Sequence, residues 1–481
     1  MAAGRRNRNK VKPSFCSVQE KNVNISLPAA SVDILKQVLM AREPRASAVS
    51  VPRCSAGHAE LSTDGILKLA REKLNRRKGI DVAAILFGGY SDDHPNSILS
   101  PQKSDDFELA ELFQGAVLRF SKREFEKAKW LLNICQSSAS PSGNALHRIV
   151  SYFSEALQER ISVELGLKSA ANALEMNHSK ISVKNAAKYL HPELIKSHLS
   201  LPFCQVTDFT AIQALVDNVG SAKRVHLIDL GIMNGSNWPI MIQALAARHE
   251  PVELLKLTAI GTPEDYKTGK MLSSVAESMN IPFEFRLIVS DLKDLREDMF
   301  ELSDDEVLAV YSELRLGSLL STPDHLVSLL RTIEKLNPCA MVVIEIEAST
   351  DTPVFLDRFD GLLSVSAAFF DCLEDCMERD NPCRALIEGG LIWDAVRNVI
   401  ICEGEERIIR HERLEFWRGF LTRFGFVEVA LSDTAFYQLD MVLKRNPRWV
   451  SCNVDKKGKG IIVGWKKTPI KSLSVWKFQH E

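Results

Sequence analysis

Five short apolar runs at a regular spacing constrain the fold of this chain more than any other feature. They begin at Arg224, Leu254, Phe283, Val307 and Met341, so successive starts lie 24 to 34 residues apart. This is the spacing of βαβ units, and near-continuous apolar strands are expected in a parallel sheet that helices cover on both faces. Pro239 opens one intervening helical run, in the first-turn position that proline prefers. The sequence therefore predicts a doubly wound, Rossmann-like α/β sheet.

The C-terminal part of the chain predicts an antiparallel addition to this sheet. Helical patterns come first, from Phe355 to about Val399 and again near residues 412–424. Four strand-like segments follow, and they start at Phe426, Tyr437, Gly460 and Ser472. Short connections between strands imply antiparallel pairing. A parallel sheet with antiparallel edge strands is the architecture of many nucleotide- and S-adenosylmethionine-binding enzymes, so we predict a methyltransferase-type sheet whose chemistry must be tested at its site.

The residues before the sheet divide into two regions. Residues 101–219 show mainly helical periodicity. Residues 1–100 mix polar stretches with short periodic segments, one of them at 63–75, and end in a turn-rich linker. We therefore predict a variable, partly disordered and loosely attached N-terminal region over residues 1–100. The folded domain is predicted over residues 101–481, as an α-helical cap (101–219) followed by the α/β core (220–481).

Charge and cysteine usage exclude several classes of protein. The 60 basic and 62 acidic residues give a formal net charge of -2, so no global field attracts nucleic acid or membranes. The 10 cysteines include no CxxC pair, which favours reduced thiols over a disulfide scaffold. Cys372, Cys376 and Cys383 lack a fourth ligand at finger spacing, so buried structural cysteines are favoured over a zinc site. The apolar runs fall short of the roughly 20 residues of a membrane span, which predicts a soluble protein.

A compact basic run near the N-terminus is of the nuclear-localisation type. It contains Arg5, Arg6, Arg8, Lys10 and Lys12 within the stretch GRRNRNKVK. An apolar signal-peptide core does not follow it, so a secretory signal is not predicted. Taken alone, such a run is also typical of a solvated tail.

The turn after the first predicted strand is where a doubly wound sheet would hold a cofactor. It spans Asp229–Gly235, and Met233 stands where a methyltransferase-like turn would have a third glycine. A side chain there would intrude on the cofactor. In a cofactor site the next strand would end in a carboxylate that binds the ribose hydroxyls. Here that strand is followed by residues 262–265, and its first acids, Glu264 and Asp265, lie several residues beyond the strand end. No cofactor is therefore predicted, and S-adenosylmethionine-dependent methylation is the alternative function.

Other catalytic patterns are not found in the sequence. It has no GxSxG elbow, no HExxH helix and no GxxxxGK[ST] loop. His226 precedes Asp229 on the first predicted strand, but neighbouring strand positions face opposite sides of a sheet and a strand histidine is usually structural. We predict no catalytic residue, no metal site and no enzymatic activity.

The run VHLIDLGIMNGSNWPIMIQALAAR at residues 225–248 closely resembles the VHIID block of the GRAS family of plant transcriptional regulators. The block itself corresponds to Val225, His226, Leu227, Ile228 and Asp229. Upstream, ASPSGNALHRIVSYFSEALQERI is similar to the end of the family's first leucine-rich region. Downstream, NVIICEGEERIIRHERLEFWRGFLTRFGF resembles the RVER segment. The closing SAW block is matched by GWKKTPIKSLSVW, through Trp465, Ser474, Val475 and Trp476, with Val475 in place of the usual alanine.

The resemblance covers residues 105–481 with the motifs in the family's order. It implies a methyltransferase-like core with a helical cap that is not an enzyme. It further implies a nuclear transcriptional regulator, a scaffold that binds DNA-binding transcription factors and other GRAS proteins as a homo- or heterodimer, in developmental, hormone or symbiosis signalling. The chain looks like the SCARECROW-like and DELLA-related members, but its first hundred residues lack the DELLA and TVHYNP motifs of the gibberellin-responsive branch.

The predicted cap helices supply the candidate partner-binding residues. These are Leu109, Leu112, Phe113, Val117, Leu146, Ile149, Phe153 and Leu157, which recur at helical steps. Such a stripe either packs inside the cap or forms a groove for a partner, and the residues alone favour packing. The resemblance favours contact, since this region mediates dimerisation and partner binding in the family. Leu326, Leu329 and Leu330 form an LxxLL pattern for which we predict burial.

Residues 441–481 are basic and could contact nucleic acid. The possible contacts are Lys456, Lys457, Lys459, Lys466, Lys467 and Lys471. Trp449, Trp465 and Trp476 are interleaved with the basic residues of this region, which run from Lys444 to Lys477, and could stack on bases. Alternatively the tryptophans fill the antiparallel edge and the lysines form its solvated side. Direct sequence-specific DNA binding is the less favoured alternative, because no recognition helix accompanies the patch.

Overall fold

The structure, a computed structural model, describes residues 61–76, 101–170, 198, 200–233 and 235–479. The basic run at residues 5–12 lies outside the described residues. The helices are α1 Thr63–Arg76, α2 Pro101–Ser121, α3 Phe125–Ser138, α4 Ala145–Glu164, α5 Pro202–Val219, α6 Trp238–Ala246, α7 Tyr266–Ser278, α8 Pro323–Leu336, α9 Phe355–Cys376, α10 Pro382–Leu386, α11 Trp393–Ile401, α12 Leu414–Arg423 and α13 Asp433–Lys444. The strands are β1 Arg224–Asp229, β2 Leu254–Gly261, β3 Phe283–Val289, β4 Val307–Glu313, β5 Ala340–Ile346, β6 Phe426–Val429, β7 Cys452–Lys457, β8 Gly460–Trp465 and β9 Thr468–Phe478.

The described strands form one mixed sheet in the order β3-β2-β1-β4-β5-β9-β8-β7, with β6 also paired to β9. Strands β1 to β5 are parallel, and β9 runs antiparallel to β5. The strand order reverses between β1 and β4, which is the switch point where doubly wound sheets bind ligands. All residues of β5 are buried, as expected for a strand covered on both faces. The predicted α/β, methyltransferase-type fold with antiparallel edge strands is confirmed.

One predicted edge strand was wrong and another was missed. The segment that starts at Tyr437 belongs to helix α13, because Ala435, Leu439 and Val442 place a buried residue every three or four positions. Ser432 caps this helix by accepting a hydrogen bond from the Ala435 N–H at 3.0 Å. The missed strand is β7, which pairs with β8 at the outer edge of the sheet. Its sequence is largely polar because an edge strand with exposed side chains needs no apolar run.

Two apolar layers cover the two faces of the sheet. One face packs against α5, α6, α7, α9 and α13, and Trp465, Leu473 and Val475 contribute to it from the antiparallel strands. The other face packs against α8 and α12 and includes Trp476. Helix α8 has common helix-end residues. It begins at Pro323, and Asn337, directly after its last residue, takes the left-handed conformation.

The cap is a helical bundle with its own apolar core. Helices α2, α3 and α4 pack against α9 and α11, so the helices of the C-terminal half complete the cap. The helical pattern predicted from Phe355 to Val399 is divided in the structure into α9, α10, a π-helical segment over residues 387–392, and α11. The chain leaves the helix at Met377, whose backbone is extended, and α10 begins at Pro382, in the first-turn position that proline prefers.

Helix α1 is part of this packed body. Leu67 and Ala70 are buried in the cap core. Thr63 donates from its backbone N–H and its hydroxyl to Asp371 of α9, at 2.9 and 2.6 Å. The loose attachment predicted before residue 101 therefore does not hold for this helix, whose helical pattern the sequence did indicate. The domain boundaries themselves remain a prediction.

The predicted absence of membrane spans and zinc fingers can be compared with the described part of the chain. None of its helices combines the length and apolar character that crossing a membrane requires. Its histidines, cysteines and acids form no group suited to hold a metal ion. Cys372 and Cys383 are buried, and the sulfurs of Cys372 and Cys376 lie 3.9 Å apart as free thiols.

Candidate functional site

The VHIID-type residues form the central strand β1 and are buried. Val225, Leu227 and Ile228 pack into the two apolar layers of the sheet. His226 Nε2 lies 2.8 Å from the Thr258 hydroxyl, and its Nδ1 lies 3.2 Å from Glu306. Burial lowers the pKa of His226 to about 3, so the ring is neutral and joins neighbouring strands rather than acting as a base.

Asp229 ends strand β1 and its carboxylate is bound by the protein itself. It accepts hydrogen bonds from the Gly231 N–H at 2.9 Å and from Trp238 Nε1 at 2.8 Å. Burial raises the pKa of Asp229 to about 6, while these two hydrogen bonds act to lower it. Trp238 is buried and packs edge-on against Tyr311 of β4, with ring centroids 5.4 Å apart. An indole of this chain is therefore buried at the switch point, against the ends of β1 and β4.

The glycine turn is also occupied by the chain's own side chains. A Cβ on Gly231 would lie 2.4 Å from Arg315 Nε, which donates to the Leu230 carbonyl at 3.1 Å. Gly231 thus makes room for an arginine of this chain. Met233 takes a positive φ of 45° and its side chain is 52% exposed on the rim of the turn. The third-glycine position carries a side chain, as the sequence indicated, although that side chain faces solvent.

The acids after β2 have a local role. Asp265 accepts hydrogen bonds from the Thr262 N–H at 2.7 Å and from its hydroxyl at 3.0 Å. These bonds close the turn that precedes helix α7. The carboxylates of Asp229 and Asp265 are thus both hydrogen-bonded within the protein.

A buried ionic network lies beside the switch point and includes one predicted nucleic-acid contact. Lys471 of β9 is only 4% exposed, and its Nζ lies 2.7 Å from Glu313 Oε1. Tyr311 donates to Glu313 at 2.9 Å, and His198 Nε2 lies 2.6 Å from Asp208. Burial alone would raise the pKa of Glu313, but the Lys471 ammonium outweighs it and lowers this pKa. The prediction that Lys471 contacts nucleic acid is therefore wrong, since the ammonium is enclosed by the protein.

The other lysines lie at the surface around the β7–β8 hairpin. Lys456, Lys457, Lys459 and Lys467 are exposed, and Lys466 is half-buried. Lys457 and Lys466 form ion pairs with Glu415 and Asp375, at 3.8 and 2.8 Å. The lysines form the solvated side of this edge, as the structural alternative expected.

The three tryptophans near these lysines are buried. Trp465 Nε1 donates to Asp375 at 3.0 Å, and Trp476 Nε1 donates to the Ser474 hydroxyl at 2.9 Å. Trp449 also lies in the core. Stacking of these rings on bases is therefore excluded, and the SAW-type residues Ser474 and Val475 are buried in β9 beside them.

The candidate partner-binding residues of the cap lie in its core. Those that are buried are Leu109, Phe113, Val117, Leu146, Ile149, Phe153 and Leu157. Leu112 is partly buried against the same core. Phe113 and Phe153 also pack on Phe359 of α9, with ring centroids 6.2 and 5.6 Å apart. These side chains hold the helices together, so a partner would meet the outer faces of the helices instead. Burial of the LxxLL leucines is confirmed.

Three residues that complete the site were missed from the sequence. Trp238 begins α6, Tyr311 belongs to β4 and Arg315 follows β4, and only the parallel pairing of β1 with β4 brings them together. The available signal was Trp238 itself, because a buried indole needs an acceptor and Asp229 stands shortly before it.

Glu345 of β5 gives the site a pH dependence that can be tested. One of its oxygens accepts the N–H groups of Leu316 and Gly317, at 3.0 and 3.2 Å, and burial raises its pKa to about 7. A carboxyl whose pKa is higher in the folded chain stabilises the fold below its unfolded pKa, about 4.3, and this stabilisation is lost as pH rises through the folded pKa. Glu345→Gln keeps the double acceptor without the charge.

We expect Glu345→Gln to be more stable than the unsubstituted chain at about pH 8.5, by on the order of 2 kcal/mol, and close to it at about pH 5. Urea unfolding at the two pH values measures this difference. A stability difference that is the same at both would contradict a raised pKa for Glu345.

Comparisons with known proteins agree with the motifs in β1 and β9. A model of the GRAS domain family matches residues 109–477. DELLA protein GAI1 of Vitis vinifera is 30% identical over 353 residues, 71% of this chain and 57% of that protein. DELLA protein RGL3 of Arabidopsis thaliana is 31% identical over 349 residues, 71% of this chain and 64% of that protein. The chain thus spans less than two thirds of the length of these curated relatives.

A solved structure shows the same architecture. The crystal structure of SCL7 in Oryza sativa matches with a TM-score of 0.63 at 25% identity, covering 72% of this chain and 93% of that one. The match of the family model runs from the cap through the switch point to the closing strand β9. The chain belongs to the GRAS domain family.

Proposed function

We propose that this protein is a nuclear, non-enzymatic transcriptional regulator that acts as a scaffold for DNA-binding transcription factors and other GRAS proteins. The observation that carries this proposal is Trp238, whose indole is buried at the switch point and donates to Asp229. A sheet of this type binds ligands at that position, and a site filled by the protein's own side chains leaves surface recognition as the function. Family membership and the relation to plant DELLA proteins support the same proposal.

Several finer parts of the proposal rest on the family alone. These are control of gene expression in development, hormone or symbiosis signalling, and homo- or heterodimer formation. The basic run at residues 5–12 supports nuclear import. Direct DNA binding is less well supported, because Lys471 and the tryptophans are buried and only the hairpin lysines remain for phosphates.

Calorimetric titration of the full chain with S-adenosylmethionine tests the proposal against its enzymatic alternative. We expect no binding, because Trp238 and Arg315 occupy the space around the turn after β1. Near-ultraviolet circular dichroism of the same sample shows that the protein is folded. Binding at micromolar concentration that is lost in Asp229→Ala would overturn the proposal and make the protein a methyltransferase.

The regulatory part has its own readout in the same chain. Fused to a heterologous DNA-binding domain in plant cells, the full chain should change expression of a reporter that carries the matching sites. A fusion that is folded, nuclear and without effect on the reporter would contradict a regulator that recruits other proteins.

A further inference from the structure

Strand β3 forms an open edge of the sheet and has an apolar sequence. It stands at one end of the strand order and pairs with β2 alone among the described strands. Its residues, Phe283–Val289, read FEFRLIV, and Ile288 is the one among them that is buried. An edge strand presents unpaired backbone groups, and a long apolar edge is a template for pairing with another chain. Strand β3 is therefore an edge to which a further strand can be added.

The hydrogen bonds to β2 determine which backbone groups of β3 point outward. Leu255 lies opposite Phe283 in the parallel register, and the Leu255 N–H donates to the Pro282 carbonyl at 2.8 Å. The bonding groups alternate along a parallel strand, so the even-numbered residues of β3 turn their N–H and C=O groups to β2. The odd-numbered residues, from Phe283 to Val289, turn theirs outward, where no described strand meets them.

The side chains of β3 complement a second copy of the same strand. When two copies run antiparallel about a two-fold axis at Phe285, the outward backbone groups of the two strands meet. Glu284 of each copy then lies opposite Arg286 of the other, and the apolar Phe283 and Leu287 lie opposite each other on the other face. Opposite charges directly across two strands stabilise their pairing. The edge is therefore self-complementary in both backbone and charge.

The same charges disfavour the neighbouring registers. A shift by two residues places either Arg286 opposite Arg286 or Glu284 opposite Glu284, and like charges directly across two strands are destabilising. A shift by one residue sets outward backbone groups against groups that already bind β2. The pairing centred on Phe285 is therefore the one that backbone and charges both favour.

Glu284 and Arg286 are available for these contacts. Glu284 is exposed and forms no ion pair with a residue that the structure describes. Arg286 Nη2 lies 2.7 Å from Glu301, a carboxylate that is 65% exposed. A guanidinium has several N–H donors, so Arg286 can bind a second carboxylate without releasing the first.

Exposed apolar side chains flank the open edge. Val289, the last residue of β3, is 54% exposed. Helix α7 lies over β3, since Gly269 approaches the Phe285 ring too closely for a side chain to fit between them. Tyr266 stands three residues before Gly269, on the same side of α7, and is 56% exposed. Tyr266 and Val289 therefore lie beside the line along which a second copy would pair.

We propose that two copies of this chain associate through β3, paired antiparallel about Phe285, so that their two sheets join into one. This inference rests on the proposed function, which includes dimer formation but assigns no surface to it. The partner-binding residues predicted in the cap do not supply that surface, because they pack in the cap's own core. The interface is isologous, since each copy contributes the same strand.

Charge reversal in the full chain tests the proposal. Sedimentation equilibrium measures the dissociation constant of the dimer, which we expect in the micromolar range. Arg286→Glu sets glutamates against each other and Glu284→Arg sets arginines against each other, so each variant should weaken the dimer about tenfold or more. Glu301→Gln removes the ion pair of Arg286 without changing β3, and as the matched control it should leave association unchanged.

A mixture of the two variants gives a result that misfolding cannot give. Arg286→Glu carries two acids at its edge and Glu284→Arg carries two bases, so a mixed pair again has opposite charges at both positions. We expect the variants, each monomeric alone, to form a heterodimer when they are mixed at the same total concentration. Native mass spectrometry identifies it by mass, and circular dichroism shows that each variant is folded.

A full chain that stays monomeric would overturn the proposal. A dimer that Arg286→Glu leaves intact would also overturn it, since the interface would then lie elsewhere on the chain. Folded variants that form no heterodimer on mixing would rule out the pairing centred on Phe285. The reporter assay on the unsubstituted fusion is read separately. A failure of the β3 dimer therefore leaves the proposed function standing, and a silent reporter beside an intact dimer contradicts the proposed function alone.

Discussion

Replacing Lys471 with methionine is expected to lower the free energy of unfolding by about 3–5 kcal/mol, because a buried carboxylate then loses its cation. The Lys471 ammonium lies 2.7 Å from Glu313 and also stabilises the ionised carboxylate of Asp208. Both acids are buried beside the switch point. Methionine fills the space of the lysine stem but offers no charge, so the cost is electrostatic rather than steric.

Urea unfolding of the full chain, followed by tryptophan fluorescence, measures this loss. Lys477→Met is the matched control, because Lys477 lies on the same strand and is exposed, and it should change stability by less than about 0.5 kcal/mol. The double variant Lys471→Met with Glu313→Gln should recover part of the loss, since the uncompensated charge is gone. If Lys471→Met matched the control, the interior around Glu313 would have to be reached by water.

Removing helix α1 is expected to destabilise the protein by at least about 4 kcal/mol, through lost apolar burial and lost hydrogen bonds. Leu67, Ala70 and Leu74 of this helix are buried. Asp64 accepts a hydrogen bond from the Thr468 hydroxyl at 3.0 Å, and Thr63 binds Asp371. The helix thus links the cap to the closing strand β9. The measurement compares a chain that begins at Leu61 with one that begins at Pro101, by thermal and urea unfolding.

A point variant tests the hydrogen bonds of α1 separately from the loss of the whole helix. Asp371→Ala leaves the Thr63 N–H and hydroxyl without their acceptor and should cost about 1–3 kcal/mol. Asp357→Ala removes an exposed acid from α9, the helix that also contains Asp371, and serves as the control. Equal stability of the two truncated chains would show that α1 adds nothing to the fold. Equal stability of the two alanine variants would show that the Asp371 contact does not stabilise the fold.

Regular periodicity made the parallel strands of the sheet predictable from the sequence, but the antiparallel edge was harder to predict. Strands β1 and β5 are apolar throughout because both of their faces are covered, so they stand out in the sequence. Helix α13 was mistaken for a strand because Leu439, Met441 and Leu443 also alternate, and over a short run the two periods are hard to separate. Strand β7 was not predicted because its pairing with β8 uses backbone groups that carry no sequence signal.

The candidate site also divides into features that the sequence predicted and features that only the tertiary structure revealed. The sequence itself placed Asp229 at the end of the first predicted strand and put Met233 in the position of a missing glycine. Whether the turn was empty or filled depended on Trp238 and Arg315, whose positions follow from the packing of α6 and of the segment after β4. Charge gave a similar result: composition marked residues 441–481 as basic, but only the tertiary structure showed that Lys471 is buried while Lys477 is exposed.

By itself the sequence determined the five parallel strands along the chain, the missing third glycine of the turn after β1 and the family motifs. These features are local, since periodicity, turn residues and motifs lie within short stretches of chain. The tertiary structure decided which apolar and charged residues are buried and that α1 belongs to the folded body. These depend on contacts between distant segments, such as Thr63 with Asp371 and Lys471 with Glu313, which no local pattern records.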